Sequence, residues 1–250
     1  MAKALDGKVA LVTGGSRGLG AATALALAKQ GAKVAISYVA SADKADAVVQ
    51  KLRAEGVDAA AFQADQGEPT QAPGLIQDVI ARFGRLDILV NNAALAYQGL
   101  PIDSPEIDNA AMDRQWAVNV NGVVANIRAA VKVMSEGGRI ITIGSGVATR
   151  AGFPGVADYA GTKAAIVGYS KGAARDLAPR NITVNVVQAG VMDTDMAAPF
   201  KEAAPVLFAS LAIQRYAKVE EVAAGILFLA SPEASYVTGT VLDVEGGYSA

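Results

Sequence analysis

The apolar positions of this chain fall into two alternating patterns. Short uninterrupted apolar runs, of which Val9 to Val12 is the first, are typical of strands buried on both faces of a parallel sheet. Longer stretches with an apolar stripe, of which Leu19 to Gln30 is the first, indicate helices. The later predicted strands are Lys33 to Ser37, Asp58 to Gln63, residues 86–94 with an end near Asn91, residues 138–146, Thr183 to Gln188, and Val241 to Val244. The later predicted helices are Ser41 to Glu55, Gln71 to Phe83, a long helical region contained in Asp103 to Met134 and broken early by Pro105, Asp158 to Leu177, and Val219 to Ala230.

Strands and helices alternate along the chain, which predicts right-handed crossovers, a parallel sheet and one domain over residues 1–250. The only tryptophan, Trp116, is expected in the core. Open parallel sheets bind ligands outside the carboxyl ends of their strands. We therefore expect the chemistry of the protein at that edge.

Two residue types are missing from the sequence, and each absence excludes a class of chemistry. The chain has no cysteine, which rules out disulfides, thiolate nucleophiles and cysteine-bound metals. It has no histidine, which rules out Ser-His-Asp hydrolysis and histidine-bound zinc. The nucleophile-elbow pattern from Gly168 to Gly172, centred on Ser170, is rejected because it lies within a predicted helix and lacks a histidine partner. A general acid or base must therefore be Tyr, Lys, Asp or Glu.

The charge pattern excludes other partners. The 250-residue chain has a net charge of −2, without a basic stripe or a run of like charges. Binding to nucleic acid or to an anionic membrane is therefore not indicated. No apolar run approaches the length of a bilayer, and the N-terminal residues lack an apolar signal core, so we expect a cytoplasmic protein.

Three glycines follow the first predicted strand. Gly14, Gly18 and Gly20 stand where the chain must turn sharply, let a ligand approach the backbone and pack the next helix on the sheet. The start of that helix offers free N–H groups and a positive dipole end, which favour a phosphate. The spacing differs from the common Gly-x-Gly-x-x-Gly motif, and a tight turn without a ligand remains the alternative.

Tyr159 and Lys163 stand four residues apart in a predicted helix, so their side chains lie on one face. A phenol is a poor proton donor or acceptor at neutral pH unless a nearby cation stabilises its phenolate. Ser145 ends the fifth strand, where its hydroxyl can hydrogen-bond a carbonyl oxygen that Tyr159 protonates. The alternatives are a chance Tyr-x3-Lys match and a serine that only caps its own turn.

TGGSRGLG (13–20), NNAA (91–94), Ser145 and YAGTK (159–163) together resemble the classical short-chain dehydrogenase/reductase family over essentially the whole chain. The resemblance implies a Rossmann-type doubly wound α/β sheet of about seven parallel strands flanked by helices, a nicotinamide cofactor, and hydride exchange with a carbonyl or alcohol. It implies that Tyr159 is the general acid/base, that Ser145 holds the substrate oxygen, and that Lys163 binds the nicotinamide ribose and lowers the Tyr159 pKa. Asn119 would hold a proton-relay water at a kink in its helix. The expected cofactor-binding residues are Gly14, Ser16, Arg17, Gly18, Leu19, Gly20, Tyr38, Ser41, Asp65 at the adenine, Asn91, Ala93, Tyr159, Lys163, Val191 and Thr194.

Three positions depart from the family pattern. The family usually places serine thirteen residues before the tyrosine, where this chain has Gly146. Either the loop carries one extra residue and Ser145 serves, which we favour, or the donor is missing. Ala94 and Ala189 stand where the family usually has Gly and Pro, which affects fine geometry more than function.

The end of the second strand predicts which dinucleotide is bound. A carboxylate there would accept hydrogen bonds from a ribose 2′-OH and repel a 2′-phosphate. Tyr38 occupies that position, with Ser41 nearby and Arg17 in the glycine turn, which favours NADP(H) over NAD(H). The alternative is that Arg17 is only a solvated turn residue.

The substrate pocket is expected between residues 94–100, 147–156 and 192–211, and the last of these segments could act as a lid. Its apolar residues favour a small hydrophobic ketone or alcohol, although ordinary packing explains each of them equally well: Tyr97, Phe153, Met192, Met196 and Phe200. A 3-oxoacyl carrier-protein reductase is a second hypothesis, for which Arg180 matches one expected basic position. A nucleotide-binding regulatory protein on the same fold is a third. The C-terminal residues resemble the family's tail, which often pairs in homotetramers.

Overall fold

The computed structural model describes residues 3–198, 202 and 204–250, and its centre is one seven-stranded parallel sheet. The strand order is β3-β2-β1-β4-β5-β6-β7. The strands are β1 Val9–Val12, β2 Lys33–Tyr38, β3 Ala59–Gln63, β4 Ile88–Asn91, β5 Arg139–Ser145, β6 Thr183–Ala189 and β7 Val241–Val244. The helices are α1 Gly18–Lys29, α2 Ala42–Ala54, α3 Ala72–Phe83, α4 Asn109–Trp116, α5 Val123–Ala130, α6 Ala157–Leu177, α7 Ala204–Ala209 and α8 Val219–Ala230. The expected Rossmann-type α/β fold is confirmed.

Apolar side chains cover both faces of the sheet. In β1, Ala10 and Val12 belong to the core that packs against α1, α2 and α8, whereas Val9 and Leu11 belong to the core on the other face. Strand residues point alternately to opposite faces, so a strand buried on both sides must be apolar at every position. This explains why the strands appear in the sequence as unbroken apolar runs.

The strand order reverses at β1, which pairs with β2 on one side and with β4 on the other. The connections that follow β1 and β4 therefore leave in opposite directions, and a crevice opens above the carboxyl ends of these two strands. Asp87 stabilises the opposite edge. Its buried carboxylate accepts the Val9 N–H at 2.9 Å and pairs with Arg85.

The long helical region expected within Asp103 to Met134 is present from Asn109 to Ala130. The structure has α4 from Asn109 to Trp116, a single π-helical turn from Ala117 to Gly122, and α5 from Val123 to Ala130.

The expected burial of Trp116 in the core is wrong. Its ring is half-buried and packs beside Gly161, because its indole N–H donates to Asp158 at 2.9 Å near the start of α6. No helix among the described residues is long and apolar enough to cross a membrane.

Candidate functional site

The glycine turn after β1 leaves no room for side chains at two positions. Gly14 has φ +64°, and a Cβ there would lie 3.0 Å from the Cα of Ala93. A Cβ on Gly20 would collide with the carbonyl oxygen of Gly14. No described side chain caps α1, so the N–H groups of its first turn are available to an anion. The turn therefore has the shape and the donors that a dinucleotide pyrophosphate requires.

Polar side chains tie this turn to the end of β4. The Thr13 hydroxyl accepts the N–H groups of Asn92 and Ala93, and the Asn92 side chain donates to the carbonyls of Thr13 and Gly14. Sequence reasoning missed Thr13 and Asn92. The only available signal was their position directly after two buried strands, which the sheet brings side by side.

A buried amide network lies beneath the crevice. Asn91 accepts a hydrogen bond from Asn126, and Asn126 also donates to Gln66 at 3.1 Å. Gln66 in turn donates to the carbonyls of Ala93 and Val118. Asn91 therefore holds the central strand to α5, and the sequence reasoning missed Gln66 and Asn126, which complete this network.

Asp65 follows β3 and was expected at the adenine. Arg114 of α4 contacts both of its carboxylate oxygens, one of them at 2.6 Å, and the N–H of Gly67 contacts one as well. Any adenine contact through this carboxylate must be shared with Arg114, which the sequence reasoning did not single out.

Tyr159 and Lys163 lie one turn apart on α6, with the Lys163 Nζ 5.7 Å from the centre of the Tyr159 ring. Lys163 is almost fully buried and donates to the Ile143 carbonyl at 2.9 Å. Burial lowers the pKa of Lys163 to about 8. Burial of the Tyr159 hydroxyl raises its pKa to about 12, and a hydrogen bond with Ser145 offsets this rise only in part.

The expected lowering of the Tyr159 pKa by Lys163 is therefore not what this geometry produces. Removal of the phenolate from water is the main cause of the raised pKa, and the Lys163 amine binds a backbone carbonyl instead of the phenol. At neutral pH Tyr159 carries its proton and Lys163 is charged. This is the state of an acid that can give a proton to a substrate.

The structure distinguishes the two positions considered for the serine. Ser145 ends β5 and hydrogen-bonds Tyr159. Gly146 lies against Glu245, and a Cβ at this position would collide with the Glu245 carboxylate and lie 2.8 Å from the Tyr248 ring. Gly146 is therefore excluded by packing from carrying the hydroxyl.

Asn119 lies in the π-helical turn between α4 and α5, where the helix takes up one extra residue. Its side chain accepts the Leu95 N–H at 2.8 Å and donates to the Leu95 carbonyl at 2.9 Å and to Thr162 at 3.2 Å. Asn119 thus joins the segment after β4 to the helix that carries Tyr159.

The three segments expected around the substrate come together. The Gly99 N–H donates to the Gly155 carbonyl at 2.8 Å, which joins the first segment to the second. Tyr159 packs in a small apolar cluster with residues of the second and third segments, namely Val147, Val156, Phe208 and Leu211, and with Tyr248. Tyr97, Phe153 and Met196 are exposed apolar residues of these segments, whereas Phe200 lies outside the described residues. Tyr248 was missed by sequence reasoning, and its hydroxyl accepts the Gly152 N–H at 3.0 Å.

Tyr38 ends β2, and Ser41 directly precedes α2. Arg17 and Lys44 both lie close to the Asp195 carboxylate, at 3.1 and 3.8 Å. Lys44 and Asp195 were not singled out from the sequence. Thr194 approaches the glycine turn, with its Cγ2 3.6 Å from where a Cβ on Gly18 would lie.

Arg180 does not offer a free basic surface. Its guanidinium donates to the carbonyl of Val131 at 2.7 Å and to that of Met134, both after the end of α5. This residue therefore closes a helix terminus, which weakens the argument that linked it to an acidic carrier protein.

Comparison with known proteins agrees with this geometry. The family model described as "Enoyl-(Acyl carrier protein) reductase" matches residues 14–249. A 3-oxoacyl-[acyl-carrier-protein] reductase of Synechocystis sp. is 43% identical over 249 residues, with 98% of each chain covered. The crystal structure of a blue fluorescent protein from a metagenomic library, in complex with NADPH, has a TM-score of 0.95 and 44% identity, and covers 99% of this chain and 100% of that one. A short-chain dehydrogenase of Burkholderia cenocepacia in complex with NADP has a TM-score of 0.93 and 44% identity over the same shares.

Proposed function

The chain belongs to the short-chain dehydrogenase/reductase family, and from this membership and the geometry of the site we propose that it is an NADPH-preferring reductase of ketones. The proposed reaction transfers a hydride between the nicotinamide and a carbonyl carbon, and it also runs from the secondary alcohol. The observation that carries the proposal is the convergence of Ser145, Tyr159 and Lys163 at the carboxyl ends of the strands. We also propose that the chain is one domain, because a single sheet is present in the described residues (3–198, 202 and 204–250).

The residues present fit the dinucleotide. Gly14 and Gly20 leave a cradle that a Cβ would fill, and the first turn of α1 supplies N–H donors for a pyrophosphate. Ser16, Leu19, Asn91, Ala93, Val191 and Thr194 are the proposed contacts along the rest of the cofactor. When bound, the cofactor supplies the hydride.

We assign the proton to Tyr159. With its pKa near 12, the phenol is protonated at neutral pH and donates to the carbonyl oxygen as that oxygen gains negative charge. Ser145, already hydrogen-bonded to the phenol, donates to the same oxygen and stabilises it. The Lys163 ammonium then stabilises the phenolate, because a nearby positive charge favours the charged form, until a proton from solvent restores the phenol. Asn119 holds the helix that carries Tyr159 and Lys163 through its hydrogen bond to Thr162.

The preference for NADPH rests on charge at the end of β2. Tyr38 and Ser41 replace the acidic residue that would repel a 2′-phosphate. Two cations, Arg17 of the glycine turn and Lys44 in the first turn of α2, lie within 4 Å of the same Asp195 carboxylate. The complexes of the two similar structures with NADPH and NADP support the same choice.

The substrate class rests on the apolar cluster around Tyr159. An uncharged hydrophobic ketone suits the apolar surroundings of Tyr159, which packs against the buried side chains of Val147, Val156 and Leu211. The second candidate is reduction of a 3-oxoacyl group on a carrier protein, which the names of relatives such as the Synechocystis reductase favour. A 3-oxoacyl thioester of a small thiol presents the same reacting ketone without the carrier.

The test is a panel of ketones, alcohols and 3-oxoacyl thioesters assayed with NADPH and with NADH. We expect the wild type to turn over hydrophobic ketones with NADPH, and Tyr159→Phe to lose about 10² to 10⁴ in rate while it still binds the cofactor. Tyr169→Phe is the matched control, because Tyr169 lies on the same helix and packs against the core. Cofactor binding without turnover on the whole panel would favour the regulatory protein instead.

We further propose a cytoplasmic homotetramer. Phe228 of α8 and the fully exposed Tyr236 present apolar surface beside the last strand, as a subunit interface requires. Light scattering measures the mass of the assembly, and fractionation of the source cells measures its location. A monomer in light scattering would exclude the tetramer.

A further inference from the structure

One carboxylate is shared by two cations that come from different parts of the chain. Arg17 belongs to the glycine turn, Lys44 lies in the first turn of α2, and Asp195 lies in the segment after β6. The same oxygen of Asp195 is 3.1 Å from the Arg17 Nη1 and 3.8 Å from the Lys44 Nζ. The cluster therefore has one more positive charge than negative charge.

The ion pairs of Asp195 with Arg17 and Lys44 are exposed, so another anion can easily replace the Asp195 carboxylate. The side chains of Arg17, Lys44 and Asp195 are 60%, 58% and 66% exposed, whereas the Asp87 carboxylate paired with Arg85 is 6% exposed. Water and salt screen exposed pairs, which contribute little to stability. The Asp195 contacts are thus too weak to be needed for the fold.

The cluster coincides with the position proposed for the ribose 2′-phosphate. Tyr38 and Ser41 at the end of β2 flank α2, which carries Lys44. The segment of Asp195 crosses the glycine turn, since Thr194 lies next to Gly18. Asp195 consequently holds a negative charge where the cofactor would bring one.

We propose that Asp195 is an internal competitor for the 2′-phosphate and that Lys44 is a second phosphate-binding cation beside Arg17. This inference rests on the proposed preference for NADPH. A phosphate carries about two negative charges and three acceptor oxygens, so it displaces a single exposed carboxylate from the two cations. The like charges then repel, and Asp195 leaves the site.

The displacement has a consequence for the segment that carries Asp195. Thr194, one residue earlier, is the proposed contact at the nicotinamide side of the cofactor. NADPH therefore frees this segment from Arg17 and Lys44, whereas NADH, which lacks the 2′-phosphate, leaves those contacts in place. The two cofactors differ in the position of residues 192–198 as well as in affinity.

The test measures binding of 2′,5′-ADP and 5′-AMP by calorimetry, which requires no turnover. Asp195→Asn removes the competitor, and we expect it to bind 2′,5′-ADP about two- to fivefold more tightly than the wild type, the range that an exposed ion pair contributes. Binding of 5′-AMP should be unchanged, and 0.5 M salt should reduce the difference. Lys44→Gln should weaken binding of 2′,5′-ADP and leave 5′-AMP unchanged.

Asp43→Asn is the matched control. It removes the same charge beside Lys44, but Asp43 forms no ion pair with Arg17 or Lys44 in the described part of the chain. If Asp43→Asn tightens binding as much as Asp195→Asn, or if Asp195→Asn weakens it, the competitor role is overturned while the preference for NADPH stands. If the wild type binds 2′,5′-ADP no better than 5′-AMP, the preference for NADPH fails first, and the inference fails with it.

Discussion

Replacing Lys163 with methionine should make the protein more stable and less active. Lys163 is almost fully buried, and burial lowers its pKa from 10.5 to about 8. Each pKa unit corresponds to about 1.4 kcal/mol, so keeping this amine charged at pH 7 in the folded protein costs about 3 kcal/mol. Methionine has a similar length and no charge. It leaves the Ile143 carbonyl without its donor, which costs about 1 kcal/mol. The net expected gain is about 2 kcal/mol in the free energy of unfolding.

The sign of the pH dependence follows from the same two pKa values. The folded pKa lies below the unfolded value of 10.5, so between pH 8 and 10.5 the unfolded chain binds more protons than the folded one. The stability of the wild type therefore rises across this range, and the advantage of Lys163→Met is full below pH 8 and fades towards pH 10.5. Ketone reduction should fall by about 10² or more below pH 8, where Lys163 of the wild type is charged.

Urea unfolding of wild type and Lys163→Met at pH 7, 9 and 10, at one fixed protomer concentration, measures the effect. Lys171→Met is the control, because Lys171 is an exposed residue of the same helix and should change stability by less than about 0.5 kcal/mol. A less stable Lys163→Met at pH 7, or an advantage that does not vary with pH, would refute the reasoning.

Three further predictions come from other parts of the site and sheet. Gly146→Ser should cost about 1–3 kcal/mol in urea unfolding, because its side chain meets Glu245, and it should not restore the activity lost in Ser145→Ala. Asp87→Asn should cost about 2 kcal/mol, measured in the same way, because the carboxylate that receives the Val9 N–H is buried; an unchanged midpoint would contradict this. The rate of ketone reduction at saturating substrate should fall as pH rises above about 8, where Lys163 loses its proton, and a flat profile to pH 10 would exclude Lys163 from stabilising the phenolate.

Local patterns in the sequence predicted most of the fold. Unbroken apolar runs identified the strands because both faces of the sheet are covered, and β7 was predicted with its observed bounds. The spacing of Tyr159 and Lys163 predicted their common helix face. Both features depend only on residues that lie near one another in the sequence, so the sequence alone is enough to predict them.

Features that depend on distant side chains were missed. The π-helical turn at Asn119 coincides with contacts to Leu95 and Thr162, which no local pattern records. The half-exposed position of Trp116 depends on Asp158, 42 residues away. The Tyr159 pKa is raised, where a lowered pKa was expected, because its main cause is burial, which only the folded chain shows.

The common direction of the seven strands gives the molecule two unlike ends. The loops that enter the strands lie opposite the crevice, and at three of them, Gly56, Gly84 and Gly137, nothing lies within 4 Å of where a Cβ would be. The seven residues of β5 separate these loops from Ser145 by roughly 20 Å. A fluorophore, an affinity tag or a surface anchor attached beside Gly137 would therefore report on the protein, or immobilise it, without blocking the crevice at the other end of the sheet.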